Sequence, residues 1–249
     1  MTTTLNMLCY NEARILPFSL RHYATFCSRM VVHDMGSTDG CQEIARRFGA
    51  EVIQHDGKGE FNDMQNKRIK ETSWIGSKSD WVIQADADEL IYFPMGAEFC
   101  LSSYQRQALP IVKPYGFEMI EDVFPTDEGQ IYDYVKNGAR DDRWYAKPIL
   151  FSPKLVKSVE FSTGSHTVEA VLNSGRKAPN PTAPSSPSCY LLHFHHIGGV
   201  DYITQRYDEN QKRQSAMNKK MGWGNQEDPR KHAMDKRNAI MAKLERVIA

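Results

Sequence analysis

The chain has few cysteines and no long apolar run. Its five cysteines (Cys9, Cys27, Cys41, Cys100 and Cys189) are odd in number, scattered, and never spaced Cys-x-x-Cys. That argues against a disulfide framework or a structural zinc, and reduced thiols in a cytoplasmic setting fit better. Apolar stretches last only a few residues, far short of the roughly 20 that cross a bilayer, so no transmembrane segment is expected. The opening Met1-Thr-Thr-Thr lacks the basic and apolar regions of a signal peptide. Charge of one sign is missing too. The 31 Lys+Arg balance 31 Asp+Glu, which leaves no global field to recruit nucleic acid or membrane. The sequence shows no internal repeat. What is present, 41% hydrophobic residues over 249 positions, suffices for a sizeable core in one α/β domain with appendages.

The first ninety residues alternate strand and helix signals. Short apolar strands are expected at 5–9, 30–33, 51–54 and 81–85. Between them, 13–26 carries Ile15, Leu16, Leu20, Tyr23 and Ala24 at near-helical spacing, with Pro17 in the opening turn, where proline is tolerated. Further helices are expected through Ile44 and Phe48 up to Gly49, and over 61–74 after Gly57-Lys58-Gly59. Such alternation argues for βαβ units and a parallel sheet. Beyond Leu90 the pattern changes. Segments 110–120 and 147–153 look like strands of a mixed sheet, and 125–143 is polar and rich in turn formers. The proline-rich stretch 178–187 reads as a mobile surface loop. From about Val200 to Arg246 the chain reads as helical, broken at Gly222-Trp223-Gly224. Tyr202, Ile203, Tyr207, Ile240, Met241 and Leu244 form an amphipathic face there that packs on the body. Residues 201–249 hold 11 Lys+Arg against 7 Asp+Glu, an excess of 4.

The most informative segment is Asp80-Trp-Val-Ile-Gln-Ala-Asp86-Ala-Asp88-Glu89. A buried strand ending in Asp-x-Asp delivers two carboxylates to the sheet edge where ligands sit in open α/β folds. On an irregular turn the pair can share a divalent cation, with hard oxygen ligands suiting Mg²⁺ or Mn²⁺. The alternative is a solvated acidic turn. A second strand ends at Asp34, followed by Met35-Gly36-Ser37-Thr38-Asp39-Gly40, in which Gly36 can take a positive φ and Thr38 or Asp39 can cap the next helix. A well-made βα turn would look the same. Asp34 points to the same edge as Asp86, where it can accept hydrogen bonds from a base or ribose. Tyr10, Asn11 and Glu12 end the first strand there, with Tyr10 placed to stack on a base.

Asn11-Glu12, Asp34-x-Gly-Ser-Thr-Asp-Gly40 and Asp86-Ala-Asp88, in this order and spacing over residues 3–93, resemble the family 2-like glycosyltransferases of the GT-A fold. More loosely, residues 116–125, Gly138-Ala-Arg140-Asp141, Lys147-Pro-Ile-Leu-Phe, Gly164-Ser-His166 and Leu192-His193-Phe resemble the acceptor side of a bacterial or viral branch. The resemblance implies a Rossmann-like mixed sheet flanked by helices. Residues 1–199 would form the domain, with a nucleotide-binding half at 1–93 and an acceptor half at 94–199. Residues 200–249 would be a helical extension able to cover the cleft or support oligomerisation. The implied reaction is metal-dependent, inverting transfer of a sugar from a nucleotide-diphosphate donor to a glycan or other hydroxyl acceptor. Tyr10, Asn11, Glu12 and Asp34 would then hold the nucleoside. Asp86 would touch ribose or metal, Asp88 would ligate the bridging Mn²⁺ or Mg²⁺, and His193 would be a further metal ligand.

Departure of a nucleoside diphosphate builds negative charge on its β-phosphate, so nearby cations help. Lys67, Arg68, Arg140 and Lys147 are the candidates, with Lys147 best placed on the donor side beside its proline. For Lys67 and Arg68 a solvated helix face is the alternative. On a strand, His193 and His195 share one face and His196 takes the other. They are either metal ligands or hydrogen-bonded buried histidines, and His166 is a second candidate ligand. Inversion needs a general base. Asp141 is the first choice and Asp122, beside Glu121, the second, although each also reads as a surface acid. Two other functions use the same residues: a metal-dependent phosphoesterase, or a non-catalytic nucleotide-sugar-binding module. A nucleotidyltransferase would need a glycine-rich N-terminal loop, and Leu8-Cys-Tyr-Asn-Glu is nothing like one.

Overall fold

Seven consecutive buried residues form the first strand, β1 (Thr3–Cys9), in the middle of a sheet. Burial without alternation marks a strand covered on both faces. β2 (Arg29–Asp34) and β4 (Trp81–Asp86) flank it in parallel, and β3 (Glu51–Gln54) pairs in parallel outside β2. Helices α1 (Leu16–Ala24), α2 (Cys41–Arg47) and α3 (Asp63–Thr72) connect these strands, giving the βαβ succession read from the sequence. Pro17 lies in the first turn of α1, and the Asn62 side chain caps α3 by accepting the Gln65 N–H at 3.2 Å. Cys9 pairs with Asp34 and Leu8 with Asp86, so three strand ends lie level at one edge. The computed structural model describes residues 1–56, 59–126, 128–184, 186–223 and 228–248. Gly57 and Lys58 of the expected Gly-Lys-Gly turn, Ser185 of the proline-rich stretch and Gly224 of the expected helix break lie outside the described residues.

Past residue 88 the chain builds a second sheet. β5 (Glu89–Tyr92) and α4 (Ala97–Arg106) lead to β6 (Ile111–Val112) and β7 (Tyr115–Glu121). The polar stretch 125–143, rich in turn formers, contains α5 (Ile131–Tyr134) and β8 (Asn137–Arg140). β9 (Leu150–Phe151) then joins the first sheet antiparallel to β4 and β6, giving the order β3-β2-β1-β4-β9-β6. β10 (Val156–Phe161) and β11 (Val168–Leu172) make a separate hairpin. β12 (Tyr190–Ile197) is followed by α6 (Gly199–Lys212), α7 (Ala216–Met221), α8 (Pro229–Met241) and β13 (Glu245–Arg246). The second sheet runs β13-β8-β7-β12-β5. The expected mixed α/β architecture flanked by helices is therefore present. The end of the chain departs from the helical reading: β13 pairs with β8, and Ile248 is buried in the core. Two residues of strand have no periodicity to read, and their pairing is long-range.

One core joins both sheets. Leu5, Met7 and Ile83 from the first pack with Leu90, Leu191, Leu192 and Phe194 from the second, around Leu16, Leu20 and Tyr23 of α1. Each such fully buried side chain stabilises by about 1.5–3 kcal/mol. The other face of β4 presents Val82 to Trp74, Phe151, Val156 and Phe161. In the tail Ile203 and Ile240 are buried, but Met241 and Leu244 are 45% and 41% exposed, so the amphipathic face stops short of them. The proline-rich stretch carries no helix or strand among its described residues. Its end is tied down where the buried Tyr104 hydroxyl donates to the Pro187 carbonyl at 2.9 Å. Gly116 matters for the site. A Cβ there would come within 2.2 Å of the Tyr145 and Ala146 backbone, so only glycine lets that segment lie against β7.

Candidate functional site

The turn between β4 and β5 sends its two aspartates in different directions. Asp86 Oδ1 lies 2.8 Å from Lys70 Nζ, and its Oδ2 is 3.9 Å from Lys147 Nζ. Lys147 is closer to the fully buried Glu89, at 2.5 Å. Asp88 turns toward β12, because the Phe194 N–H donates to the Asp88 carbonyl at 2.8 Å. Phe194 itself points into the core, and strand alternation therefore presents His193 and His195 to the Asp88 carboxylate. The sequence reading that paired these two histidines on one face holds. Their rings stack at 5.8 Å with an interplanar angle of 6°, and Tyr145 stacks on His193 at 5.1 Å.

Asp88, His193 and His195 each offer one donor atom, and the three atoms lie within 4.8 Å of one another. This is a metal-compatible set of two imidazoles and a carboxylate. The expected pairing of Asp86 with Asp88 on one cation is not what the geometry provides, since Asp86 is drawn aside by Lys70. The remaining donors fit a cation in two respects. His195 turns its Nδ1 to Asp88 Oδ2 at 3.3 Å, and its buried Nε2 has no hydrogen-bond partner among the described residues. His193 is also oriented from behind, because its Nδ1 lies 2.6 Å from Glu118 Oε2 while its Nε2 faces Asp88 at 3.8 Å. A carboxylate behind the imidazole in this way fixes tautomer and ring direction in metal sites. Glu118 stands opposite His193 in the β7–β12 register, which explains the contact.

The charges are strongly coupled. Burial opposes ionisation of Asp88, but His193, His195 and Arg206 outweigh it and hold the carboxyl well below the usual range. Burial also opposes charge on His193, and Glu118 with Asp88 overcomes it, raising the imidazole to about 9. His195 is pushed the other way by burial and by Arg206. Glu12, desolvated beside Asp88, is raised to about 7 although Arg206 pulls it down.

These groups open onto a cleft of about 210 Å³. Tyr10, Glu12, Asp86 and Asp88 line it from the strand ends, His193 and His195 from β12, and Arg206, Asn210 and Arg213 from or just past α6. Arg206 Nη2 bridges Glu12 Oε1 at 2.5 Å and Asp88 Oδ2 at 3.3 Å. The Arg213 guanidinium lies 3.0 Å from the centre of the Tyr10 ring.

The other expected residues fall outside this cleft. Asn11, at φ 51, ties two strand-end turns together: its N–H donates to Ser37 Oγ and its Oδ1 accepts from the Thr38 N–H. Asp34 is buried, with its two oxygens accepting from the Ser37 N–H and Gln42 Nε2. Lys67 pairs with Glu71 and Glu160 on the hairpin side. Arg140 is bound to Asp142. His166 is held by the Trp144 carbonyl at 2.8 Å. Of the two acids expected to act as base, Asp122 pairs with Arg237 at 2.6 Å, and Asp141 accepts from the Arg143 and Trp144 N–H groups. Asp141 lines a separate small pocket with Glu118, Tyr145 and Lys236.

Arg206, Arg213 and Glu118 are the residues that sequence reasoning missed. The basic excess of the tail was visible, but nothing local distinguished these arginines from the other nine cations counted there. Glu118 sits in an apolar strand, and a lone acid there gains its role only from His193, which stands opposite it on β12.

No family model matches the chain. Among curated proteins it is similar to a TPR repeat-containing protein of Synechococcus elongatus, 28% identical over 106 residues. That match takes in 43% of this chain and 25% of the relative, so it reaches only a quarter of the relative's length. Among solved structures, S. aureus TarS residues 1–349 superposes with a TM-score of 0.49 at 11% identity, covering 84% of this chain and 65% of that one. Mycobacterium tuberculosis glucosyl-3-phosphoglycerate synthase, in complex with Mn²⁺, uridine-diphosphate and glucosyl-3-phosphoglycerate, superposes with a TM-score of 0.29 at 19% identity. It covers 36% of this chain and 34% of its own.

Proposed function

We propose that the chain is a family 2-like glycosyltransferase of the GT-A kind, moving a sugar from a nucleoside-diphosphate donor to a hydroxyl of a glycan or other acceptor. One observation carries the reading. The donor atoms of Asp88, His193 and His195 meet beside the level ends of parallel strands, in a cleft that Tyr10 and Glu12 also line. Ligands of open α/β sheets sit outside those strand ends. Tyr10 offers an aromatic face for the base, and Glu12 an acceptor for the nucleoside. Asp86, about a third exposed at the cleft, accepts from a ribose hydroxyl, while Asp34 keeps the neighbouring turn in shape. A divalent cation on the Asp88 set would supply positive charge to the departing diphosphate. Two imidazoles among its ligands favour Mn²⁺ over Mg²⁺. Neither Asp122 nor Asp141 faces this cleft, so neither is assigned the role of base that inversion requires.

The test is a panel of nucleoside-diphosphate sugars, read first as Mn²⁺-dependent thermal stabilisation and then as release of nucleoside diphosphate with an acceptor. Binding raises stability with the logarithm of ligand excess over its dissociation constant. No stabilisation by any nucleotide sugar, with or without Mn²⁺, would end the proposal. The same donor set favours one second reading, since two imidazoles and a carboxylate also serve hydrolytic metal sites. A phosphoesterase would turn over simple phosphate esters with no nucleotide sugar present.

A further inference from the structure

Arg206 stands where positive charge is needed and where a metal would supply it. Its side chain is 13% exposed and bridges Glu12 and Asp88. Two desolvated carboxylates this close require a counter-charge, and the guanidinium provides it. Asp88 is also one corner of the Asp88–His193–His195 donor set. A divalent cation held there would face the guanidinium across a single shared carboxylate, and like charges at that range repel strongly in a desolvated site. Arg213 lies seven residues further along, with Asn210 between them, and all three line the cleft. Helical spacing places them on one face, and a displacement of α6 that carries Arg213 also breaks the bond from its Nε to the Gly59 carbonyl at 2.7 Å and the one from the Phe61 N–H to its carbonyl. With α6 seated in this way Arg213 covers Tyr10, and the cleft stays below the roughly 300–1,000 Å³ typical of small-molecule sites.

We infer that Arg206 is a binding residue for the donor's anionic group and competes with a cation for the Asp88 carboxylate. Cation loading expels Arg206 from Asp88, the diphosphate takes it up, and Arg213 leaves the Tyr10 face in the same displacement of α6. This rests on the reading of the cleft as a diphosphate site. A planar guanidinium suits either partner, because carboxylate and phosphate oxygens both accept its paired N–H groups.

The experiment titrates Mn²⁺ alone by electron paramagnetic resonance in the wild type, Arg206→Gln and Arg206→Lys. It then titrates inorganic pyrophosphate at saturating Mn²⁺. Arg206→Gln should bind Mn²⁺ more tightly and pyrophosphate more weakly, each by a factor in the usual coupling range of about 5–150. Arg206→Lys should stay near the wild type in both. An ion pair that only anchors α6 would leave Mn²⁺ affinity unchanged or lowered in the Gln variant, and that result overturns the inference while the metal site stands. Tighter Mn²⁺ with unaltered pyrophosphate binding overturns its anion half. Absence of Mn²⁺ binding in all three proteins overturns both the inference and the metal-dependent reading beneath it. In the unmodified protein, Mn²⁺ with pyrophosphate should speed hydrogen exchange in residues 199–213, and unchanged exchange counts against any release of α6.

Discussion

Replacing Lys147 with methionine separates a structural role for that lysine from the donor-binding role expected of it. Lys147 Nζ sits 2.5 Å from Glu89 Oε1, and the Glu89 side chain is wholly buried. Burial opposes charge on Glu89, but Lys147 and Lys70 outweigh it and bring the carboxyl down to about 2. Against an ordinary value of 4.5, at 1.36 kcal/mol per pH unit, that is about 3 kcal/mol of stability. Because the folded value is depressed, this contribution is complete above pH 4.5 and disappears as pH falls through 2. Removing one partner of a buried pair costs about 3–5 kcal/mol, since the other charge remains desolvated. Lys147→Met should therefore lose about 3 kcal/mol or more in urea unfolding at pH 7. Without Lys147 less charge opposes the burial of Glu89, so its carboxyl should titrate higher in the variant and the gap from wild type should narrow as pH falls toward 4. Adding Glu89→Gln should recover at least half the loss, because the amide oxygen can still accept the Asp86 N–H that Glu89 Oε2 now accepts. Wild-type stability in Lys147→Met together with weakened donor binding would refute this reasoning and return Lys147 to the donor.

Asp88→Ala should abolish Mn²⁺ binding and transfer while leaving far-UV circular dichroism native, and activity undiminished in EDTA would remove the metal role. Glu118→Gln should weaken Mn²⁺ affinity by about 10–100-fold, the usual cost of losing a carboxylate behind a metal-binding histidine; calorimetric titration would show it, and an unchanged affinity would leave Glu118 a packing residue. His22, buried with Nε2 against the Ile91 carbonyl, is lowered to about 4 by burial. Its folded value lies below the ordinary 6.5, so stability should be full above pH 6.5 and fall by about 3 kcal/mol as pH drops to 4. Denaturant unfolding across that range should be flatter in His22→Gln, and identical pH slopes would refute the assignment.

Much of the fold could be read from local pattern. β1, β2, β3 and β4 announced themselves as short apolar runs, and α1 by its spacing and the Pro17 position, because each follows one periodicity over several residues. The level ends at Asp34 and Asp86 followed from βαβ succession. Alternation alone put His193 beside His195. By contrast β8 and β13 are short and pair with each other over a long sequence distance, and no local rule marks them.

The sequence by itself determined which strands carry carboxylates to the sheet edge, since strand direction and side-chain alternation follow from backbone geometry. Only the tertiary structure decided what those carboxylates meet. Lys70 turns Asp86 aside, Glu118 aims His193, and Arg206 arrives from a helix 118 positions beyond Asp88. The last two contacts depend on how β12 and α6 pack across β5 and β7, and charge partners chosen by long-range packing leave no periodic trace in a chain.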